Sequence, residues 1–213
     1  MLASADENQR ANSAEELGQL RKPCSYDALI VALEDPSDLV KTSAARAIGL
    51  IGNKQGAYPL ANLLRKNSNP KIRRACVVAI GRLKNPAGAK VLRTELRKKN
   101  SPLLVPTIRA LGNVRDKKSA SDIKNILQQS KSIQARSASA VAIGQINSAG
   151  AQEILLNALT DPAELVRYQA LCALARIGKI NALGKIKPLL KDSDYSVRQA
   201  AKNAIKKIQM RSK

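Results

Sequence analysis

Cys24, Cys76 and Cys172 are the only thiols of the chain, and no histidine stands anywhere to deprotonate one of them. That absence removes Cys-His and Ser-His nucleophile pairs, the usual general base and the commonest transition-metal ligand. Three cysteines in no CxxC arrangement do not read as a disulfide framework or a zinc module, and they fit a reducing cytoplasm. Gly49-Leu50-Ile51-Gly52 has glycines but sits where a helix should end, not between strand and helix, so it reads as a helix stop. Asp35-Pro36-Ser37-Asp38 lacks the glycine and terminal glutamate of a calcium loop and reads as a helix cap. Cys76 reads as core, and Cys172 as a small apolar residue on a surface row. Catalytic residues, a metal and a cofactor are therefore not expected.

What remains in abundance is positive charge. Lys and Arg number 37 against 16 Asp and Glu, for a net charge of +21. Residues 1–38 are acidic, with 8 acids and 3 bases, whereas 65–118 holds 16 bases and only two acids, Glu95 and Asp116. Such a field attracts acidic proteins, nucleic acid, anionic lipid or anionic small molecules. The first twenty residues carry Asp6, Glu7, Glu15 and Glu16 and no apolar run, which does not read as a signal peptide. No stretch approaches the roughly 18–20 apolar residues of a membrane-spanning helix.

These charges are carried by a repeat. The phrases AIGLIG (47–52), AIGRLK (79–84), ALGNVR (110–115), AIGQIN (142–147), ALARIG (173–178) and AIKKIQ (204–209) return every 31 or 32 residues. Their third residues, Gly49, Gly81, Gly112, Gly144, Ala175 and Lys206, serve as markers. Eight residues earlier stand Lys41, Arg73, Leu104, Arg136, Arg167 and Arg198. Turn and capping residues precede them: Asp35-Pro36, Asn67-Ser68, Ser101-Pro102, Asp161-Pro162 and Asp192-Ser193. Apolar residues such as Val40, Ala44, Ala47, Ile48 and Ile51 follow one face of a helix. A second apolar helix ends in Leu33, Leu64, Leu96, Leu127, Leu159 or Leu190. Each unit is thus an outer helix, a tight turn and an inner helix.

The pattern, with a turn Asp, a basic residue after Val or Ile and an Ala-Leu-Gly-type phrase, resembles the HEAT-like repeats associated with phycobilisome lyases. The resemblance spans nearly the whole chain and implies an all-α superhelix, a HEAT-like solenoid. We expect one domain over 1–213: a half repeat at 5–20 acting as a cap, six repeats over 25–209 and a tail at 210–213. Lys206 in place of the marker glycine suits a terminal repeat. Pro106, several residues into the third inner helix, predicts a bend or a delayed start there. The resemblance also implies bilin lyases and lyase-like chaperones of phycobiliproteins as possible functions. Other HEAT-like enzymes hydroxylate a modified lysine with two metals held by His-Glu motifs, or excise alkylated bases with an aromatic groove and a carboxylate. A chain without His, Phe or Trp matches neither.

The surface positions of the inner helices form rows. Three before the marker stand Arg46, Val78, Arg109, Val141, Cys172 and Asn203; just after it, Leu50, Arg82, Asn113, Gln145, Arg176 and Lys207. A first-turn row adds Ser43, Arg74, Val105, Ser137, Tyr168 and Gln199. The stretches 39–52, 72–84, 103–115, 135–147, 165–178 and 197–209 contain no Asp or Glu. The expected groove is therefore electropositive throughout, with Arg46, Arg74, Arg82, Arg109, Arg176 and Lys207 as its partner-binding residues. Lys41, Arg136, Arg167 and Arg198 are set apart as braces for turn aspartates. Outer-helix bases such as Arg65, Lys66, Arg93, Arg97, Lys98, Lys99, Lys117 and Lys118 read as a solvated face. The favoured function is a non-enzymatic adaptor for an acidic protein segment. Phosphate-backbone binding to nucleic acid explains the charge equally well, although Tyr26, Tyr58, Tyr168 and Tyr195 offer few stacking platforms.

Overall fold

The computed structural model describes Leu2 and residues 4–211, and those residues form helices and turns with no strand among them. The chain starts with α1 (Glu7–Leu20) and continues as helical hairpins. These are α2 (Tyr26–Ala32) with α3 (Asp38–Ile51), α4 (Ala57–Lys66) with α5 (Pro70–Leu83), and α6 (Ala89–Leu96) with α7 (Leu104–Asn113). They are followed by α8 (Ala120–Gln129) with α9 (Ile133–Ile146), α10 (Ala151–Asn157) with α11 (Glu164–Ile177), and α12 (Leu183–Ile186) with α13 (Tyr195–Arg211). The half repeat and six hairpins are those read from the repeat. Of the expected tail, residues 210 and 211 belong to α13; residues 212 and 213 lie outside the described residues.

The helices divide into two compact units, Met1–Val114 and Arg115–Lys213. In the first, the inner helices pack in the order α1, α3, α5, α7; in the second, α9, α11, α13. The core of each unit lies between the outer and inner helices. Leu29, Ile48, Leu60, Leu64, Ile72, Ile80, Leu92, Ile108 and Leu111 fill the first, and Ile123, Ile143, Leu155, Leu174 and Val197 the second, all withdrawn from water. Aliphatic side chains on a 3.6-residue stripe suffice for that burial, so the absence of Phe and Trp leaves no gap in the pattern.

The marker glycines have a packing reason. A Cβ built on Gly18 would lie 2.6 Å from the Ala47 backbone, one on Gly49 2.8 Å from Ala79, and one on Gly81 2.8 Å from Ala110. On Gly144 it would lie 2.6 Å from the Ala173 Cβ. Each of these four glycines thus abuts the alanine two residues before the next marker, and the two helices approach almost backbone to backbone. Lys206, in the last inner helix, is exposed to solvent, and a side chain is free to extend there.

A ladder of arginines ties neighbouring repeats together. Arg136 donates from Nε and Nη2 to both carboxylate oxygens of Asp161, at 2.7 and 2.9 Å, and Arg167 does the same to Asp192 at 2.8 Å each. Arg10, in the half repeat, engages Asp35 at 2.8 and 3.0 Å. In each case the partner stands 25 residues ahead, and the remaining guanidinium nitrogen donates to carbonyls of the arginine's own turn, such as Ser130 and Asp161. The aspartates also accept the amide two residues on: Asp35 from Ser37, Asp161 from Ala163, Asp192 from Asp194. They thereby close the turn, while Ser37, Asn69 and Ser132 cap the helices proper.

The first unit departs from this ladder at two places. Lys41 reaches only Asp38 of its own turn, at 3.5 Å, and the next turn carries Asn67 where an aspartate would stand. Asn67 still accepts the Asn69 amide at 2.8 Å, so the turn survives and the ion pair does not. Arg73 instead binds Glu95, which is 3 % exposed and is held further by Lys98 and Ser101. Its own turn carbonyl, Asn67, accepts from Arg73 as elsewhere. In the third hairpin α7 starts at Leu104, later in its repeat than the other inner helices, so Pro106 falls in the first turn. There the missing N–H is one that no helix would use, which converts the expected disruption into a shortened helix.

Candidate partner-binding faces

On the inner face of the first unit the exposed positions of α5 after Pro70 are Lys71, Arg74, Val78 and Arg82, spaced as one helical stripe. On α7, Arg109 is exposed between half-buried Val105 and Asn113. The repeat register sets Arg109 level with Val78, between Arg74 and Arg82, which stand about 12 Å apart along their helix. Packed helices lie roughly 8–10 Å apart, so three guanidinium groups share one surface within about a Debye length of each other. None of the three has an ion-pair partner among the described residues. No Asp or Glu occurs from residue 39 to residue 94, and Glu95 is buried in its own pairs. Burial pushes the Glu95 carboxyl up, but donation from Lys98 and Ser101 and the Arg73 charge outweigh it and hold the group below its ordinary range.

Arg46 differs from the expectation. It is exposed on α3, and its Nη1 lies 3.8 Å from Glu15 of α1, which also accepts from the Ser43 hydroxyl at 3.1 Å. The half repeat therefore brings a carboxylate beside the stretch 39–51 of α3, which has none of its own. Both partners are largely solvated, so the pair contributes at most about 1 kcal/mol, and Arg46 is partly neutralised.

The second unit corrects the expectation of a positive surface throughout. Arg176 and Lys207 are exposed at the carboxyl ends of α11 and α13, as the rows predicted. Between the same two helices runs an open groove of about 730 Å³ whose lining includes Glu164, Leu165, Tyr168, Cys172, Asp194, Tyr195, Gln199 and Asn203. Glu164 sits one residue before the acid-free stretch 165–178 and Asp194 three before 197–209, where a count confined to those stretches misses them. Glu164 opens α11, and Asp194 caps α13 by accepting the Val197 amide at 3.0 Å. Leu165 and Tyr195 are 40 % and 66 % exposed, an apolar signal that the charge-centred reading also missed.

Of the four residues read as braces, Arg136 and Arg167 grip turn aspartates, Arg198 donates to the carbonyls of Asp192 and Ser193, and Lys41 reaches only Asp38. Hydrogen bonds from Arg10 and Arg167 hold the carboxyls of Asp35 and Asp192 below their ordinary range. At Asp161 burial opposes the shift, and donation by Arg136 and the Ala163 amide prevails. Cys76 is buried, and loss of water pushes its thiol up to about 12, which suits a core residue; Cys172 is half-buried and Cys24 exposed. Among the outer-helix bases Arg65, Lys66, Lys99, Lys117 and Lys118 are exposed as expected, while Lys98 is engaged by Glu95. No group of metal-ligating side chains occurs among the described residues, and no helix there is long and apolar enough to cross a membrane.

A family model described as HEAT repeats matches residues 1–70 and 120–206. Among solved structures, the complex of CpcE and CpcF of phycocyanin lyase from Nostoc sp. PCC7120 contains a chain 24% identical, with a TM-score of 0.65, 97% of this chain and 91% of that one being covered. An engineered protein is 20% identical with a TM-score of 0.67, covering 98% and 66%. The Escherichia coli protein YibA is 22% identical with a TM-score of 0.60, covering 97% and 78%. At these identities the likeness is one of fold. No curated protein matches the sequence significantly.

Proposed function

Because the chain belongs to the HEAT repeat family, whose folds commonly serve as scaffolds for other proteins, we propose that it is a non-enzymatic adaptor that docks an acidic protein segment on the inner face of its first unit. The supporting observation is the trio Arg74, Arg82 and Arg109, exposed on adjacent helices in a region whose only carboxylate from residue 39 to residue 114 is buried and already paired. Guanidinium groups bind carboxylates in a two-pronged geometry, and here they stand on helices packed through backbone contacts, so little order is lost on binding. Unscreened like charges on one face also raise the association rate for an anionic partner. Arg46, Arg176 and Lys207 take a lesser part, the first because Glu15 competes for it. A reducing, cytoplasmic setting suits the free thiols.

Nucleic-acid phosphates would meet the same guanidinium groups, and the cations spread over the outer helices favour that second reading. Bilin or phycobiliprotein handling finds support only in fold likeness, and mixing with a linear tetrapyrrole without change of visible absorbance would exclude it. The discriminating experiment is fluorescence anisotropy with a labelled oligoglutamate peptide and an oligonucleotide of equal charge. The peptide should bind the native chain, and Arg82→Glu with Arg109→Glu should weaken it about a hundredfold, near 2.7 kcal/mol, with unchanged circular dichroism. Equal binding by the double variant would overturn the assignment of this face, and preference for the oligonucleotide would overturn the assignment of the partner.

A further inference from the structure

The groove between α11 and α13 in the second unit is lined by acids at one end, and exposed bases stand one helical turn beyond the other. Glu164 and Asp194 line it where the two helices begin, and exposed Arg176 and Lys207 stand four residues past Cys172 and Asn203, the last lining residues of their helices. Between them the lining is neutral: Tyr168 and Cys172 on one side, Gln199 and Asn203 on the other, with Leu165 and Tyr195 exposed beside the acidic end. The acids are not consumed by salt bridges, since the Arg167 of the same helix is committed to Asp192 in both prongs. Arg176 and Lys207 likewise lack an ion-pair partner among the described residues.

From Glu164 to Arg176 the helix rises about 18 Å, the span of five or six extended residues. We propose that this groove holds an extended segment of a partner protein with a cationic side chain at one end, apolar or aromatic side chains in the middle and a carboxylate at the other. Charge complementarity at both ends sets the direction of the segment, and the tyrosine and leucine surfaces supply the apolar contact. A uniformly acidic segment is rejected here because one end would face Glu164 and Asp194. The two units therefore select different ligands, and this groove does not depend on the role proposed for the first unit.

The groove carries its own reporter. Cys172 lies in its wall, whereas Cys24 is exposed in the other unit and Cys76 is buried. The experiment compares alkylation rates of the full chain by mass spectrometry in the presence of two synthetic peptides of about eight residues. One has lysines at one end, Leu-Tyr in the middle and glutamates at the other; its counterpart has glutamates at both ends. The bipolar peptide should slow alkylation of Cys172 at least fivefold without changing Cys24, and the acidic peptide should not. In the Glu164→Lys, Asp194→Asn variant, where the asparagine retains the cap on α13, the preference should reverse. Equal protection by both peptides, protection by neither, or an unaltered preference in a variant with native circular dichroism would overturn the proposal.

Discussion

The first unit keeps its inner helices α5 and α7 free of acid at the expense of its ladder, whereas the second keeps its ladder regular and sets acids at the starts of α11 and α13. In the second unit Arg136 and Arg167 each grip an aspartate 25 residues ahead. In the first, the matching rung is Lys41 with Asn67, and Arg73 relies on Glu95 drawn from the outer helix. A turn aspartate closes its turn and pairs with an arginine, but an asparagine can do only the first. Removing the carboxylate from residue 67 therefore costs one ion pair and leaves the hairpin intact, while the surrounding field becomes more positive. Stability and surface charge are set at the same position, and the two units resolve that conflict differently.

The largest effect should come from what the units share. Gly81→Ala in the first and Gly144→Ala in the second each force a Cβ against the alanine of the next inner helix. Each should cost about 1–3 kcal/mol in thermal or denaturant unfolding. A difference between them would sharpen the contrast, because at Gly81 the obstacle includes the Ala110 backbone, whereas at Gly144 the shortest approach is to the Ala173 Cβ. Asp161→Ala should come next, at about 1–2 kcal/mol once solvent screening is allowed for, since it leaves the half-buried Arg136 without its carboxylate.

Acid should distinguish the two kinds of rung. The native pKa values of Asp35, Asp161 and Asp192 lie below the ordinary value, so their contribution is complete above about pH 4 and is lost as pH falls through the native values. The melting temperature should drop on acidification below that point, and Asp161→Asn should flatten the drop. The smallest effect should follow Lys41→Arg with Asn67→Asp, which installs the missing rung. We expect about 0.5–1 kcal/mol of added stability and new acid sensitivity, together with slightly weaker binding of an acidic peptide. A destabilised double variant would break the comparison.

Much of this was legible in the residues. The 31-residue period located every hairpin, because a buried stripe recurs in each inner helix and a marker glycine in four of the six. The braces followed from an arginine at constant spacing from a turn aspartate. The exposure of the rows was also readable: Arg74, Arg82, Arg109, Arg176 and Lys207 are solvent-exposed, as surface positions of their helices should be. What escaped was contributed from outside the counted stretches. Glu15 comes from the half repeat, Glu164 and Asp194 from the first turns, and all three approach the inner faces only once helices are laid side by side. The role of Glu95 was equally hidden, since nothing local distinguishes a carboxylate that will be buried under an arginine from one left in water.

Arginine footprinting tests the central claim most directly. The intact chain would be treated with an arginine-selective dicarbonyl, with and without an oligoglutamate peptide, and the modified sites quantified by mass spectrometry. The account predicts strong protection of Arg74, Arg82 and Arg109, weak protection of Arg46 and none at Arg65 on the outer helix α4. Protection centred on Arg65 and its outer-helix neighbours, with Arg82 and Arg109 reacting as freely as before, would contradict it.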